Sequence, residues 1–246
     1  MKQRAYYKQH RQMIHFLNHL YLYMFQQPLG IIFKGNKVKK DVRKLLKNRK
    51  MEAAFIEKLG IIKEQLFKDV SFFKQSDPVT SSEKEIILTY PGLHAIFGYR
   101  VAHLLGVLGV DLLPRMISEF THERTGIDIH PKSIIGCPFF IDHGTGVVIG
   151  ETTTIGNDVK IYQGVTLGAS NLENIEKVRG TKRHPTIGNH VILYAGAKVL
   201  GGDTVIPNNV TIGEGVTITK KLATRLLEHS IIYQVEGKIV IKEKNI

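Results

Sequence analysis

With Cys137 as its only cysteine, the chain can form no internal disulfide, and that suits a reducing compartment. It also lacks an apolar run of membrane-spanning length. The longest stretches are around ten residues, as in Val101 to Val110 with His103 between them, whereas a spanning helix needs roughly 20. No small-residue cleavage site follows the first apolar run, where Gln26 and Gln27 stand instead, so the opening segment does not read as a secretory leader. These absences predict a cytoplasmic protein without a membrane segment. Acid is missing too: residues 1 to 40 hold eight Lys or Arg, and Asp41 is the first carboxylate. Such an arm can meet nucleic acid or an anionic membrane. Here Tyr6, Tyr7, His10, Ile14, Phe16, Leu17 and Leu20 interleave with the charges at roughly helical spacing. The arm therefore reads as an amphipathic helix packing on a partner, with neither nucleic acid nor membrane as its target.

What is present falls into two halves. The 246 residues are 43% hydrophobic, enough for one or two domains with a sizeable core. Up to about Thr125 apolar residues recur at three and four, as in Met51, Phe55, Leu59 and in Leu93, Ile96, Phe97, Val101, Leu104. That is the helical period. Pro28, Gly30, Gly35, the Asp77-Pro78 pair and Tyr90-Pro91-Gly92 interrupt it, so several helices are expected, with a turn near 77–83.

Beyond Gly126 the period changes to six. Ile149, Ile155, Ile161 and Leu167 are each six apart, with Val147, Thr153, Val159 and Val165 two positions earlier. The series resumes at Ile187 and Leu193 and continues, shifted by one, at Ile206, Ile212 and Ile218. Neither helix nor alternating strand has this period. A hexapeptide repeat does, and it signals a left-handed parallel β-helix, three short strands closing a triangular coil. Coils stack about 4.8 Å apart, and Gly or Asn at the corners (Asn157, Asn189, Asn208, Asn209) supplies left-handed backbone. The predicted organisation is an α-helical domain at 1–126, a β-helix at 127–219 with a protruding loop at 169–185, and an extension at 220–246 in which Ile231 to Ile241 reads as one strand.

The repeat breaks twice. Ile135 to Ile149 is fourteen and Leu167 to Ile187 is twenty, each two beyond a multiple of six. Insertions in a solenoid belong on its surface, commonly at a binding face. Around them cluster Asp128-Ile-His130, Asp142-His143 and Arg183-His184. A solvated corner explains any one of these; together they suggest a site. An imidazole can take a proton from an attacking hydroxyl, and a carboxylate on its other nitrogen fixes its tautomer. His143 with Asp128 is the natural pair, brought together by the longer loop. Arg183 and His184 suit a substrate carboxylate, and Asp142 suits an ammonium group.

The runs Asp128-Ile-His-Pro, Ile141-Asp-His-Gly-Thr-Gly-Val-Val-Ile-Gly-Glu-Thr, Gln163-Gly-Val-Thr-Leu-Gly, Arg183-His-Pro and Ala195-Gly-Ala-Lys-Val-Leu-Gly, preceded by Tyr99-Arg100 and His103, resemble the serine acetyltransferase family of hexapeptide transferases. The resemblance implies an acetyl-CoA-dependent enzyme with L-serine as acceptor and no metal. It implies His143 as general base with Asp128 as partner, Asp77 and Asp142 around the serine ammonium, and Arg183 with His184 on its carboxylate. Acetyl-CoA is expected along the prism edge near Gly168, Ala169, Ala195 and Gly196. A homotrimer or dimer of trimers joined by the helices follows, with the site between prisms, and Ile246 is a candidate anchor in a cysteine synthase. Two other readings share the fold: an O-acyltransferase for a sugar or other alcohol, and a zinc hydratase of the γ-carbonic anhydrase kind using His143, His184 and His190.

Overall fold

The computed structural model describes residues 2–170 and 180–243, with the side chains of 2–6 left aside. The middle of the 169–185 loop and the terminal Ile246 lie outside the described residues. Seven helices come first: α1 (Lys2–Met24), α2 (Gln26–Leu29), α3 (Gly35–Leu46), α4 (Arg49–Ser76), α5 (Glu83–Thr89), α6 (Pro91–Val107) and α7 (Leu113–Thr125). Their ends follow local chemistry. The Asn48 side chain accepts the amides of Lys50 and Met51 at 3.0 and 3.1 Å to start α4, and Ser82 accepts that of Glu85 to start α5. Each satisfies an orphan N–H of a first turn. Pro91 opens α6, where its missing donor costs nothing.

The basic first helix corrects one expectation. Met13, Phe16, Leu17, Leu20 and Met24 are buried in the chain's own core with Val38, Val42, Phe55 and Leu59. Its apolar face is covered by α3 and α4, not by a separate partner.

A parallel β-solenoid follows, with three walls. The first holds β1 (Asp128–Ile129), β4 (Val148–Ile149), β7 (Thr166–Gly168), β10 (Lys198–Leu200) and β13 (Thr217–Ile218). The second holds β2 (Ile134–Ile135), β5 (Thr154–Ile155), β8 (Thr186–Ile187) and β11 (Val205–Ile206). The third holds β3 (Phe139–Ile141), β6 (Val159–Ile161), β9 (Ile192–Leu193) and β12 (Thr211–Ile212). Coil-to-coil register stacks like on like, Ile149 on Leu167 and Ile161 on Leu193. These and the residues two positions earlier are buried, so the period of six is the period of the prism interior.

Two further expectations change. Of the four corner asparagines only Asn209 has left-handed backbone, at φ 62°; Asp158 and His190 take that conformation beside Asn157 and Asn189. The other asparagines form a ladder instead. The Oδ1 of Asn157, Asn189 and Asn208 accepts the amides of Cys137, Asn157 and Asn189 at 2.8–3.0 Å, replacing strand pairing where the chain turns. After a short helix, α8 (Lys220–Ala223), the extension is a hairpin rather than one strand. β14 (Ser230–Val235) adds in parallel to β12, and β15 (Lys238–Glu243) returns antiparallel. The reversal needs positive φ at Glu236 and Gly237, which hydrophobic pattern alone does not reveal.

Helices and prism meet through α6. Tyr99 donates its hydroxyl to the Ser133 carbonyl at 2.8 Å and accepts the Ile135 amide at 3.0 Å. Arg100, buried, makes two 2.7 Å hydrogen bonds to the buried Asp69 of α4 and a third to the Gly136 carbonyl. Asp69 also accepts the Phe139 amide at 2.9 Å. The family-like Tyr99-Arg100 pair is thus a joint. Asp69→Ala would leave a guanidinium buried without a counter-charge, with an expected loss of about 3–5 kcal/mol in urea unfolding at fixed protein concentration. A loss below about 1 kcal/mol, the scale of an exposed pair, would show that this joint is dispensable.

Candidate active site

The first insertion sits at the corner between the third and first walls. Asp142 follows β3 directly, its amide bonded to the Ile161 carbonyl at 2.9 Å. Its carboxylate accepts the His143 amide at 2.8 Å and lies 3.7 Å from His143 Nε2. The extra residues bulge outward: His143 takes φ 53°, and its side chain is 72% exposed. Asp77, at the end of α4, holds the Val79 amide at 2.8 Å and accepts the Tyr90 hydroxyl at 2.5 Å. Burial first, then that bond, pushes the Tyr90 phenol up to about 12. Gly92 explains how this helical turn reaches the corner: a Cβ there would lie 2.0 Å from the Ile141 carbonyl oxygen. The first turn of α6 therefore rests on the strand end that carries Asp142.

Tyr162 records the result. Its phenol is held above the ordinary value by burial first, and then by neighbouring Tyr194 and the charges of Asp142 and Asp77. The two acids thus face one place, next to an aromatic stack in which Tyr162 and Tyr194 lie 5.1 Å apart. These tyrosines were not legible as site residues. Their only signal was that 142, 162 and 194 each follow an inward aliphatic residue of the third wall.

The second cluster occupies the corner between the first and second walls. His184 is 8% exposed, its ring seated where only glycine fits: a Cβ on Gly150 would lie 2.1 Å from His184 Cδ2. Thr152 fixes it. The Thr152 amide donates to His184 Nδ1 at 3.1 Å, and Thr152 Oγ1 accepts the amides of Arg183 and His184, each at 3.0 Å. Since Nδ1 accepts a backbone N–H, the neutral ring carries its proton on Nε2. Burial, then the Arg183 charge, lowers its pKa to about 4. Glu151 is a third residue that pattern reading missed. Lys132 donates to it at 2.9 Å and Arg183 pairs with it; those bonds, Lys132 first, lower its pKa to about 2. Among the described residues, Arg183 Nη1 is buried without a hydrogen-bond partner.

Asp128 begins β1, facing outward from the first wall beside Val148. Among the described residues it makes no hydrogen bond or ion pair with His143. Its charge is felt by His130 instead. Within one chain, then, the carboxylate beside His143 is that of Asp142, contrary to the sequence expectation. The four residues expected along one prism edge also divide. Ala195 and Gly196 stack at the His143 corner, whereas Gly168 pairs with Leu200 at the far end of the first wall, with Ala169 next to it. From Gly146 to Glu151 is five steps along a strand, roughly 16 Å at about 3.3 Å each. No metabolite of amino-acid size reaches both corners of one chain. His143, His184 and His190 likewise occupy three different corners, and no cluster of metal-type ligands among the described residues contains them.

No protein-family model matches the chain, but individual proteins do. The serine acetyltransferase of Mycobacterium tuberculosis is 44% identical over 172 residues, 70% of this chain and 70% of its own length. The plasmid serine acetyltransferase of Synechococcus elongatus is 48% identical over 172 residues, 69% of this chain but only 54% of that protein. Among solved structures, native serine acetyltransferase 1 of Entamoeba histolytica superposes with a TM-score of 0.77 at 35% identity, over 89% of this chain and 86% of its own. The Brucella abortus serine acetyltransferase in complex with coenzyme A gives 0.68 at 27% identity, over 80% and 74%.

The second corner carries a pH signature. Between about 6.5 and about 4 the unfolded His184 ring binds a proton that the folded ring refuses. Stability therefore falls as pH is lowered through that window and levels off below it. NMR titration is expected to put the His184 midpoint near 4. In Gly150→Ala the ring is displaced toward solvent, and the midpoint moves back toward about 6.5. A wild-type midpoint already near 6.5 would contradict the buried, neutral ring.

Proposed function

The chain belongs to the serine acetyltransferase family, and from that premise we propose that it transfers the acetyl group of acetyl-CoA to the hydroxyl of L-serine, supplying O-acetyl-L-serine for cysteine biosynthesis. The observation that carries the assignment of residues is the division of labour between two corners. One offers an exposed imidazole flanked by carboxylates; the other offers a guanidinium and a neutral imidazole that presents an N–H. A hydroxylated zwitterion needs both.

Because the corners are roughly 16 Å apart in one chain, the site is assembled between two prisms, His143 of one facing Arg183 of the next. Heterologous contacts of this kind can close into a ring, here proposed as a trimer, and the helical block, residues 1–126, joins trimers in pairs if the assembly is larger. Asp77 and Asp142 hold the serine ammonium. Arg183 and His184 hold the carboxylate through charge-assisted and N–H donation. Asp128 from the adjoining prism serves as the carboxylate that orients His143.

His143 takes the hydroxyl proton as the serine oxygen attacks the thioester carbonyl. Backbone N–H groups receive the negative charge that forms on the thioester carbonyl oxygen. The C–S bond then breaks, and the imidazolium returns its proton to the departing thiolate. Acetyl-CoA lies between prisms, with Ala195 and Gly196 on one wall and Gly168 and Ala169 on the other. Gly196, at φ 67° and stacked on its neighbours in adjacent coils, supports close approach to backbone rather than to side chains. No step requires a metal. No helix among the described residues is long and apolar enough to cross a membrane, and a cytoplasmic location is part of the proposal. So is docking of the Ile246 carboxylate in a cysteine synthase.

His143→Ala is expected to lower kcat by about 10²- to 10⁴-fold with assembly unchanged. Co-expression of His143→Ala and Arg183→Ala chains tests the shared site. Random mixing leaves about a quarter of interfaces intact, so activity returns to about that fraction, whereas a site within one chain gives no rescue. Thiol release with a panel of hydroxyl acceptors tests the substrate. Turnover with sugars but not L-serine would favour the broader acyltransferase reading and overturn this one.

A further inference from the structure

Far from the prism corners, α1 and α3 bring together three side chains that the acetyl transfer does not use. His15 and His19 are four apart on α1, so both rings project from one face, with centroids 3.9 Å apart. Asp41 stands opposite on α3, buried, its Oδ2 2.6 Å from His19 Nδ1. One ligand atom of each lies within 4.8 Å of the other two. Beside them an open cavity of about 520 Å³ is lined by His15, Asp41, Gln12, Asn18 and three basic side chains, and it gives access from solvent. We propose that His15, His19 and Asp41 form a binding site for a divalent transition metal of the zinc class.

The donor chemistry favours this over a simple His–Asp hydrogen bond. Two imidazoles and one carboxylate are borderline donors that suit Zn²⁺ or Co²⁺ and leave one position open. Around a tetrahedral ion with bonds of about 2.0–2.1 Å, donor atoms sit roughly 3.3 Å apart. His19 and Asp41 are already closer than that, and His15, being exposed, can rotate inward without disturbing the core. Asp41 is the first carboxylate of the chain and the only acid in α1 or α3. A buried carboxylate needs a partner; His19 supplies one, and a bound cation would supply another. Lys8, Arg11 and Lys44 line the cavity and oppose a cation, but all three are solvent-exposed and screened by salt. The ion would tie the basic first helix to α3 through coordinate bonds. Helix α1 would then depend on metal for part of its hold on the helical block.

The test uses the full chain, stripped with a chelator and titrated with Co²⁺, then with Zn²⁺. One equivalent of Co²⁺ per chain is expected, with the visible absorption of a low-coordinate imidazole–carboxylate site, bleached by Zn²⁺. The thermal midpoint should rise by roughly 5 °C at a free metal concentration about 100 times Kd. His15→Ala removes only an exposed ring. It is expected to keep its unfolding midpoint without metal and its thiol-release activity, while losing the absorption and at least tenfold in affinity. His143→Ala and His184→Ala should bind Co²⁺ as the parent does. The site is refuted if Co²⁺ gives no saturable binding, if His15→Ala binds it equally well, or if binding disappears in a prism variant instead.

Discussion

Each interior strand of the prism finds its hydrogen-bond partners in the coils above and below, and that single requirement organises the rest of the molecule. The Thr166 amide must meet the Ala197 carbonyl and the Lys198 amide the Val216 carbonyl, so a coil can lengthen only where its backbone leaves the wall. Both insertions therefore emerge at corners. His143 is carried outward on left-handed backbone, and Arg183-His184 return from the long loop on the hydroxyl and amide of Thr152. Even at the turns the stacking rule is kept by other means, as the asparagine ladder shows. The two clusters of His, Asp and Arg lie where the repeat is relaxed, and the stiff repeat on either side is what holds them still.

The helical block is bound by the same constraint at its lower edge. Its first-coil contacts run through Tyr99, Arg100, His103 and Ser118, each bonded to a prism backbone carbonyl. These carbonyls belong to the edge and turns of the solenoid, where wall pairing leaves capacity unused. Covering that edge blunts a template for unwanted strand addition. The close contact of Gly92 with Ile141 is part of the seal, and it brings Asp77 and Tyr90 to Asp142. A residue of the helices reaches the polar corner because the prism's end had to be covered.

The fold was legible because its signal is periodic: a buried aliphatic every sixth residue leaves little alternative. Pairings across coils were harder, and Asp128 shows why. In sequence it precedes His143 by fifteen, close to one coil. The coil containing the insertion, however, spans twenty residues, since Gly146 stacks on Gly126. Asp128 lies two positions past its corner glycine and His143 three before its own, so they face different directions. Counting along the chain cannot show this until the corner glycines are matched. Tyr162, Tyr194, Glu151 and Thr152 escaped for a related reason. They occupy outward slots, which the hydrophobic period does not constrain, and they act by stacking or by holding another side chain. The single-strand reading of the extension failed on one turn, where Glu236-Gly237 reverses a continuous β-prone run.

The three prism imidazoles near the two corners differ in how far their nitrogens are already committed. His184 has Nδ1 committed to the Thr152 amide and its proton on Nε2, and with a pKa lowered to about 4 it stays neutral where hydroxyl chemistry runs. It can donate a hydrogen bond but has no nitrogen left to accept a proton from an attacking alcohol. His130 is similarly engaged, its Nδ1 accepting the Lys132 amide at 3.2 Å, and burial holds its basicity down. His143 makes no ring hydrogen bond among the described residues, is open to solvent and has a carboxylate 3.7 Å away. A general base must be reachable by the proton it takes, and among these three rings His143 is the one whose exposure supports the proposed role. The same inventory explains the wide separation within one chain. A buried neutral imidazole beside a guanidinium and an exposed imidazole beside a carboxylate need different surroundings. Two ends of a wall supply both, and the proposed assembly would bring them together against a second prism.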